Sequence, residues 1–192
     1  MELLLGIFSA FGLSASAGLN AYIPLFTIAV IARYTNGFKL SAPYDTLTNP
    51  WIIVLLGVLI IVEFLADKIP AVNHINDAIQ TFIRPVAGAI VFAASAKVLT
   101  DVSPVLSLAL GLLVAGGIHA VKSLAVRPAV TATTGGAGNI PVSILEDIIS
   151  TITSILAVVI PVILACLLVL VTALLIWWLR RKSNSASNRA GV

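Results

Sequence analysis

Glu63 and Asp67 lie four residues apart in an apolar stretch, so a helix would carry both carboxylates on one face. Ionised carboxylates near a bilayer interior are costly, and they usually face protein or water and pair with a cation. Such a pair can bind a cation, carry a proton or act as a gate. The alternative is an ion-pair network with Lys68, Arg84 or Arg127 that only locks helices together.

His119 and Lys122 form a second candidate pair, on the helix face that carries Gly111 and Ala115. Small residues at four-residue spacing let helices approach closely, so His119 is expected to point into the bundle. It could relay a proton or contact a substrate. Alternatively it bonds across helices while Lys122 extends to the interface. A metal site would need more ligands than His119, His74 and the carboxylates supply.

A glycine-rich run at 134–139 precedes the last apolar segment and includes Gly135, Gly136 and Asn139. Free backbone N–H groups before a helix can bind an anion, and Arg127 is near in sequence. No Lys-Ser/Thr pair follows the glycines, so this is not a nucleotide-binding P-loop. A tight turn between two helices explains the run equally well.

The last helix carries a polar stripe of Asp147, Ser150 and Ser154, with Glu146 and Thr153 on the neighbouring stripe. This pattern suits the wall of a wet cavity, and it suits hydrogen bonds between neighbouring helices at least as well.

The composition requires that these residues be carried by membrane helices. Hydrophobic residues make up 59% of the 192 and charged residues 10%, against about 25% charged in soluble domains. Several apolar runs reach the roughly 20 residues that cross a hydrocarbon core, which makes membrane lipid a partner. Arg180, Arg181 and Lys182 follow such a run as a membrane-flanking cluster, and they do not indicate nucleic-acid binding. The single cysteine excludes an intramolecular disulfide.

We predict an all-α bundle of five transmembrane spans, or six if 3–34, interrupted by Gly18, Asn20 and Pro24, forms two helices. Ser143 and Glu146 have the spacing of a capping box and place the start of the last helix near Pro141. The next predicted segments are a span at 50–68, a short surface or re-entrant helix at 71–84, and spans at 86–99 and 105–124. An irregular stretch follows at 127–139. The last helix runs from 141 to 178 and is kinked or divided at Pro161. Residues 1–182 form one transmembrane domain, and 183–192 form a disordered cytoplasmic tail.

The distribution of basic residues predicts a cytoplasmic C-terminus. The predicted cytoplasmic residues are Arg33, Lys39, Lys97, Arg180, Arg181, Lys182 and Arg189, against Lys68, Arg84, Lys122 and Arg127 on the other side. This topology gathers most of the charged candidates on the non-cytoplasmic side. They are Glu63, Asp67, Lys68, His74, Asp77, Arg84, His119, Lys122, Arg127, Glu146 and Asp147.

Residues 16–21 resemble 115–120: small residues, a glycine, an aliphatic residue, a polar residue and an alanine. Interrupted helices at matching positions of two halves are typical of transporters, although so short a similarity also arises by chance.

Small residues repeat every four positions in the first segment, at Gly6, Ala10, Ser14 and Gly18. This spacing predicts a close-packing face, either between helices of one chain or at the seam of a homo-oligomer.

Several motifs together resemble a family of small bacterial membrane proteins classed as a domain of unknown function (number 4126), over most of the chain up to about Asp147. The motifs are Gly18-Leu19-Asn20-Ala21-Tyr22-Ile23-Pro24, Glu63-Phe64-Leu65-Ala66-Asp67-Lys68-Ile69-Pro70, Arg84-Pro85-Val86-Ala87-Gly88, Gly116-Gly117-Ile118-His119 and Thr134-Gly135-Gly136-Ala137-Gly138-Asn139. The resemblance implies a bacterial inner-membrane protein and no definite activity.

The broken helices and intramembrane charges favour a transporter or channel for a small anionic or zwitterionic solute, an ion or a lipid headgroup. A structural or accessory membrane protein with a self-satisfied ion network is the alternative. A membrane enzyme using His119 with Glu63 and Asp67 as acid and base is the third hypothesis. No nucleophile or metal motif supports it, so we expect neither an enzyme nor a cofactor.

Overall fold

The structure is a computed structural model that describes residues 2–35, 39–99 and 103–159, with side chains except those of 2–5, 70–74 and 97–99. The all-α prediction is confirmed, since these residues form helices and turns without a β-strand among them. The helices are α1 (Glu2–Leu19), α2 (Tyr22–Tyr34), α3 (Pro50–Ala66), α4 (Pro70–Leu99), α5 (Pro104–Val121), α6 (Arg127–Thr134) and α7 (Asn139–Val159). A 3-10 helix (Tyr44–Thr48) precedes α3, and a π-helical segment (Lys122–Val126) joins α5 to α6.

Three helical stretches are long and apolar enough to cross a membrane: Ile75–Ala96, Pro104–Thr134 and Asn139–Val159. Shorter apolar helices lie at Gly6–Leu19, Tyr22–Tyr34 and Pro50–Ala66. Large apolar side chains remain exposed over much of the helix surface. Such an apolar surface fits a lipid environment, and together with the long helices it indicates a membrane protein.

The first apolar segment forms two helices that break at Asn20, which settles the choice between one and two. The Asn20 side-chain oxygen accepts hydrogen bonds from the backbone N–H groups of Tyr22 and Ile23, both at 3.1 Å. These bonds satisfy amides at the start of α2 that have no partner within the helix. The break therefore follows from the local sequence.

The prediction of a separate surface or re-entrant helix at 71–84 is wrong. Residues 70–99 form the single helix α4, which continues through Pro85. The polar residues of its first half resemble a water-facing surface in sequence, but Gln80 and Arg84 are buried against other helices. Polar groups within a membrane bundle face the protein interior, so they do not mark a helix as lying at the surface.

The prediction of an irregular 127–139 stretch is wrong for most of its length. Residues 127–134 form α6, and the turn is confined to the glycines that follow, where Gly135 and Gly136 have positive φ angles of 61° and 93°. Helix α7 begins at Asn139, two residues before the predicted start. Pro161 and the tail at 183–192 lie outside the described residues.

Helix α1 packs closely against α4, α5 and α7 at small residues. A Cβ added at Gly18 would lie 2.6 Å from the Ala115 carbonyl oxygen on α5, and one added at Gly12 would lie 2.8 Å from the Ala157 Cβ on α7. Ser14 donates a hydrogen bond to the Gly111 carbonyl at 2.7 Å. The predicted close-packing face of α1 is therefore used between helices of one chain.

Candidate functional site

A buried ion pair joins the end of α3 to the middle of α4. Glu63 is 2% exposed and Arg84 0% exposed, and Arg84 Nη2 donates to Glu63 Oε1 at 2.9 Å. The other guanidinium nitrogen, Nη1, lies 3.1 Å from His119 Nδ1 on α5. Arg84 thus connects three helices from within the bundle.

The hydrogen-bond directions assign the proton on His119. A guanidinium only donates, so His119 Nδ1 accepts from Arg84 and the ring proton is on Nε2. Nε2 lies 3.1 Å from Thr81 Oγ1, which donates its own proton to the Asp77 carbonyl at 2.8 Å. His119 Nε2 therefore donates to Thr81, and the imidazole is neutral. Hydrogen bonds therefore run from Glu63 through Arg84, His119 and Thr81 to the backbone carbonyl of Asp77 on α4.

A second group of charges lies where the π-helical segment, α6 and α7 meet. Glu146 Oε2 contacts Lys122 Nζ at 2.8 Å and Arg127 Nη2 at 2.9 Å. The Lys122 ammonium also donates to the Leu19 carbonyl at 3.3 Å, at the end of α1. Arg127 Nη2 lies 3.6 Å from Asp67 Oδ2. Arg127 is shared between Asp67 and Glu146, and Glu146 is shared between Lys122 and Arg127. These contacts tie together the end of α3, the π-helical segment, α6 and α7.

Asp67 follows the last residue of α3 and accepts two strong hydrogen bonds. Asn76 Nδ2 donates to Oδ1 at 2.8 Å and Ser143 Oγ donates to Oδ2 at 2.7 Å. The Arg127 guanidinium, whose Nη2 lies 3.6 Å from Oδ2, adds a positive charge to these two donors. All three neighbours favour the carboxylate form of Asp67.

We call these six side chains the ion network. It contains three carboxylates and three cations, and all six are buried: Glu63, Asp67, Glu146, Arg84, Lys122 and Arg127. Each carboxylate contacts at least one cation. Buried charges are tolerated when they are paired in this way, so the network can exist in a bilayer with no added ion.

A polar cleft of about 560 Å³ opens beside the ion network. Its lining includes Asp77 from α4, Arg127 and Thr131 from α6, and Asn139 from α7. Asp77 Oδ1 and Asn139 Oδ1 are buried acceptors with no hydrogen-bond partner in the described part of the chain. The cleft can therefore receive a ligand that carries hydrogen-bond donors.

Asp147 occupies a different position from the rest of the predicted site. Its Oδ1 accepts a hydrogen bond from Asn20 Nδ2 at 3.0 Å. It lines an apolar cleft of about 400 Å³ between α2, α3 and α7. The other walls are mainly isoleucine side chains. They include Ile23, Ile60, Ile61, Ile144, Ile148 and Ile152.

Lys68 and the glycine turn are not brought into the ion network. The Lys68 ammonium donates to the Phe64 carbonyl at 3.0 Å and lies 3.0 Å from the centroid of the Phe64 ring. In the turn, the amides of Ala137, Gly138 and Asn139 donate to Thr134 and Gly136. These amides are used within the turn, which favours the interpretation of the glycine run as a connection between helices.

The polar stripe of the last helix faces the bundle interior. Ser150 and Ser154 are fully buried, and both hydroxyls contact Ser16 Oγ on α1, at 2.7 and 2.6 Å. Ser143 lies inside α7 and bonds Asp67, so its interpretation as a helix cap is wrong. The stripe forms hydrogen bonds between helices, the alternative that the sequence left open.

Sequence reasoning missed Asn76, Thr81 and Gln80 as members of the site. They share one face of α4 with Arg84, since positions 76, 80, 81 and 84 recur at helical spacing. All of them lie within the predicted helix at 71–84, so assigning that helix to the bundle interior would have found them. Ser143 carries no such signal, because its partner Asp67 is 76 residues away.

The chain matches the family described as a domain of unknown function (DUF4126), over residues 7–181. It belongs to this family. The matched range contains the whole ion network and both clefts of this DUF4126 protein, and it extends beyond the resemblance seen in the sequence, which ended near Asp147. No curated protein and no solved structure matches the chain.

Proposed function

We propose that this DUF4126 protein is a transporter for a small zwitterionic or singly charged solute, in which the polar cleft receives the solute and the ion network is the gate. The observation that carries the proposal is the position of Arg127. It lines the polar cleft and is also a member of the network, with Glu146 at 2.9 Å. A charged solute in the cleft would compete directly for a gate residue.

The shared ion pairs support a gate that can rearrange. Arg127 contacts both Asp67 and Glu146, and Glu146 contacts both Lys122 and Arg127. A solute carboxylate could take the place of Glu146 on Arg127, and a solute ammonium could bond the free acceptors of Asp77 and Asn139. The exchange replaces one charge contact by another, so it avoids leaving a bare charge in the bundle.

The irregular helix segments next to the network support the same proposal. Lys122 begins the π-helical segment, and Leu19, whose carbonyl it bonds, ends α1 at the Asn20 break. Segments of π-helix often occur at functional sites, and broken helices line the sites of many transporters. The repeated segments 16–21 and 115–120 pack against each other here, through Gly18 and Ala115.

A structural role is the second candidate, and one observation favours it. Every carboxylate of the ion network is paired with a cation of the network and every cation with a carboxylate, so the network can stabilise the bundle with no ligand. In either role we propose a location in the bacterial inner membrane, with the C-terminus in the cytoplasm.

The deciding experiment measures flux into proteoliposomes across a panel of ions, amino acids and phosphorylated solutes. Wild-type protein is compared with Glu63→Gln/Asp67→Asn, which keeps the side-chain shapes and removes two charges of the gate. We expect one class of solute to show saturable flux in wild type and at least about a tenfold lower rate in the double variant. Lys68→Gln is the matched control, because the Lys68 ammonium contacts Phe64 and forms no ion pair with the network in the described part of the chain.

Thermal unfolding in detergent accompanies each flux assay, so that a loss of flux is interpreted only for folded protein. Flux absent for every solute in wild type, with the double variant merely less stable, would contradict transport and support the structural role. Equal flux in wild type and the double variant would remove the ion network from the pathway.

A further inference from the structure

The apolar cleft at Asp147 has a chemistry that the ion network does not explain. One carboxylate oxygen of Asp147, Oδ2, is buried and has no hydrogen-bond partner among the described residues. The other oxygen, Oδ1, accepts a hydrogen bond from a neutral amide, Asn20 Nδ2, at 3.0 Å. No basic side chain in the described part of the chain forms an ion pair with Asp147. A carboxylate in an apolar wall is energetically costly unless a cation pairs with it.

The walls of this cleft face the region that lipid would occupy. Ile61 is 60% exposed and Ile148 49% exposed, and both lie on surfaces of membrane-type helices. A ligand therefore reaches Asp147 laterally, through apolar surroundings. Fully hydrated inorganic ions are unsuited to that route, while a cation with an apolar body is suited to it.

Phe64 adds an aromatic wall that accepts positive charge. Its ring already carries the Lys68 ammonium, 3.0 Å from the ring centroid. Aromatic rings attract ammonium groups through their electron-rich faces, and quaternary ammonium ligands are commonly bound in this way. An aromatic ring, isoleucine walls and one carboxylate together resemble a small site for an organic cation.

We propose that the cleft between α2, α3 and α7 is a binding site for a monovalent amphipathic organic cation, whose charged group pairs with Asp147. The apolar body of the ligand lies against Ile148, Ile152 and their neighbours. This site is separate from the polar cleft, and it is independent of the transport proposal because no residue of the ion network lines it.

Asp147 also connects the site to the break between α1 and α2. Asn20 donates to Asp147 with its amide nitrogen and accepts from the first amides of α2 with its oxygen. A cation on the free Asp147 oxygen leaves both of these bonds intact. Binding is therefore compatible with the packed bundle described above.

The test is calorimetric titration of the full chain, in nanodiscs of zwitterionic lipid, with benzyltrimethylammonium. We expect saturable binding to wild type and an affinity at least about tenfold lower in Asp147→Asn, which keeps the shape and the bond from Asn20. Asp45→Asn, the same change at an exposed carboxylate that lines neither cleft, is the matched control and should bind as wild type does. Ile148→Trp fills the cleft with Asp147 intact and should also weaken binding.

The uncharged analogue neopentylbenzene separates a cation site from a groove that holds lipid tails. It should not displace benzyltrimethylammonium from wild type. Displacement by this analogue, or equal affinity in wild type and Asp147→Asn, would show an apolar groove for acyl chains and overturn the proposal. Absence of saturable binding to wild type would overturn it as well. Melting temperatures of all variants confirm that each is folded.

Discussion

Helices α4 and α5 contact each other in two neighbouring regions, one through small residues and the other through long polar side chains. In the seam formed by Gly88 on α4 and Gly111 and Ala115 on α5, backbones approach so closely that an added Cβ would clash. Four residues from this seam, Arg84 and His119 bring long polar side chains into contact at 3.1 Å. The close seam fixes the spacing of the two helices, and that spacing lets Arg84 and His119 meet in the bundle.

Side-chain volume governs packing in the seam, and charge pairing governs packing in the ion network. In the seam, dispersion contacts between small residues supply the attraction, so any added atom is costly. In the ion network, shape changes are tolerated better than the loss of one charge, because the remaining partner would be buried alone. Single substitutions can separate these two effects.

The largest effect is expected from removing Arg84, the most deeply buried cation. Arg84→Met should destabilise the protein by about 3–5 kcal/mol, because Glu63 and His119 Nδ1 both lose their donor. Unfolding in mixed micelles measures the change. The exposed Arg33, replaced by Met in the same way, should change stability by less than about 0.5 kcal/mol.

Adding Glu63→Gln to Arg84→Met sharpens this prediction. The double variant removes the orphaned charge, so it should be more stable than Arg84→Met alone. If Arg84→Met has the same free energy of unfolding as wild type, the ion pair contributes nothing to the stability of the bundle. The proposed difference between the ion network and the seam would then be wrong.

The next effect concerns the seam itself. Gly88→Ala should destabilise by about 1–3 kcal/mol, because the new Cβ would overlap Ala115 and lie 2.9 Å from the Gly111 carbonyl oxygen. Gly117 is the matched control on α5, since a Cβ there meets nothing within 4 Å among the residues that the structure describes. Gly117→Ala should stabilise slightly, by up to about 1 kcal/mol, through its higher helix propensity. If Gly88→Ala and Gly117→Ala change the free energy of unfolding in the same direction, the result would argue against close packing at Gly88.

The smallest effect is expected at the serine contact between α1 and α7. Ser16→Ala removes hydrogen bonds to Ser150 and Ser154 and should cost about 1 kcal/mol, as single bonds between membrane helices contribute little. Ser123→Ala removes a 3.4 Å contact with the Ala120 carbonyl at the end of α5 and should cost less. A larger loss for Ser16→Ala than for Gly88→Ala would reverse the proposed ranking of volume over neutral hydrogen bonds.

Sequence alone determined the class of the protein and several boundaries. The apolar composition predicts membrane helices because hydrocarbon excludes unsatisfied backbone groups. The break at Asn20 follows from a local signal, since caps and helix breakers act within a few residues. The capping box at Ser143 gave the start of α7 only to within two residues, because Ser143 lies inside the helix. The four-residue spacing of small residues likewise predicted a packing face.

The tertiary structure alone decided which charges pair and which do not. Lys68 is adjacent to Asp67 in sequence but contacts Phe64, whereas Asp67 lies beside Arg127 and bonds Ser143. These partners come from separate helices, so their proximity depends on how the helices pack. Likewise, α4 continues through Pro85 because neighbouring helices bury its polar face, which local propensity does not anticipate. Local interactions are encoded within a few residues, whereas pairing across a bundle depends on the packing of every helix at once.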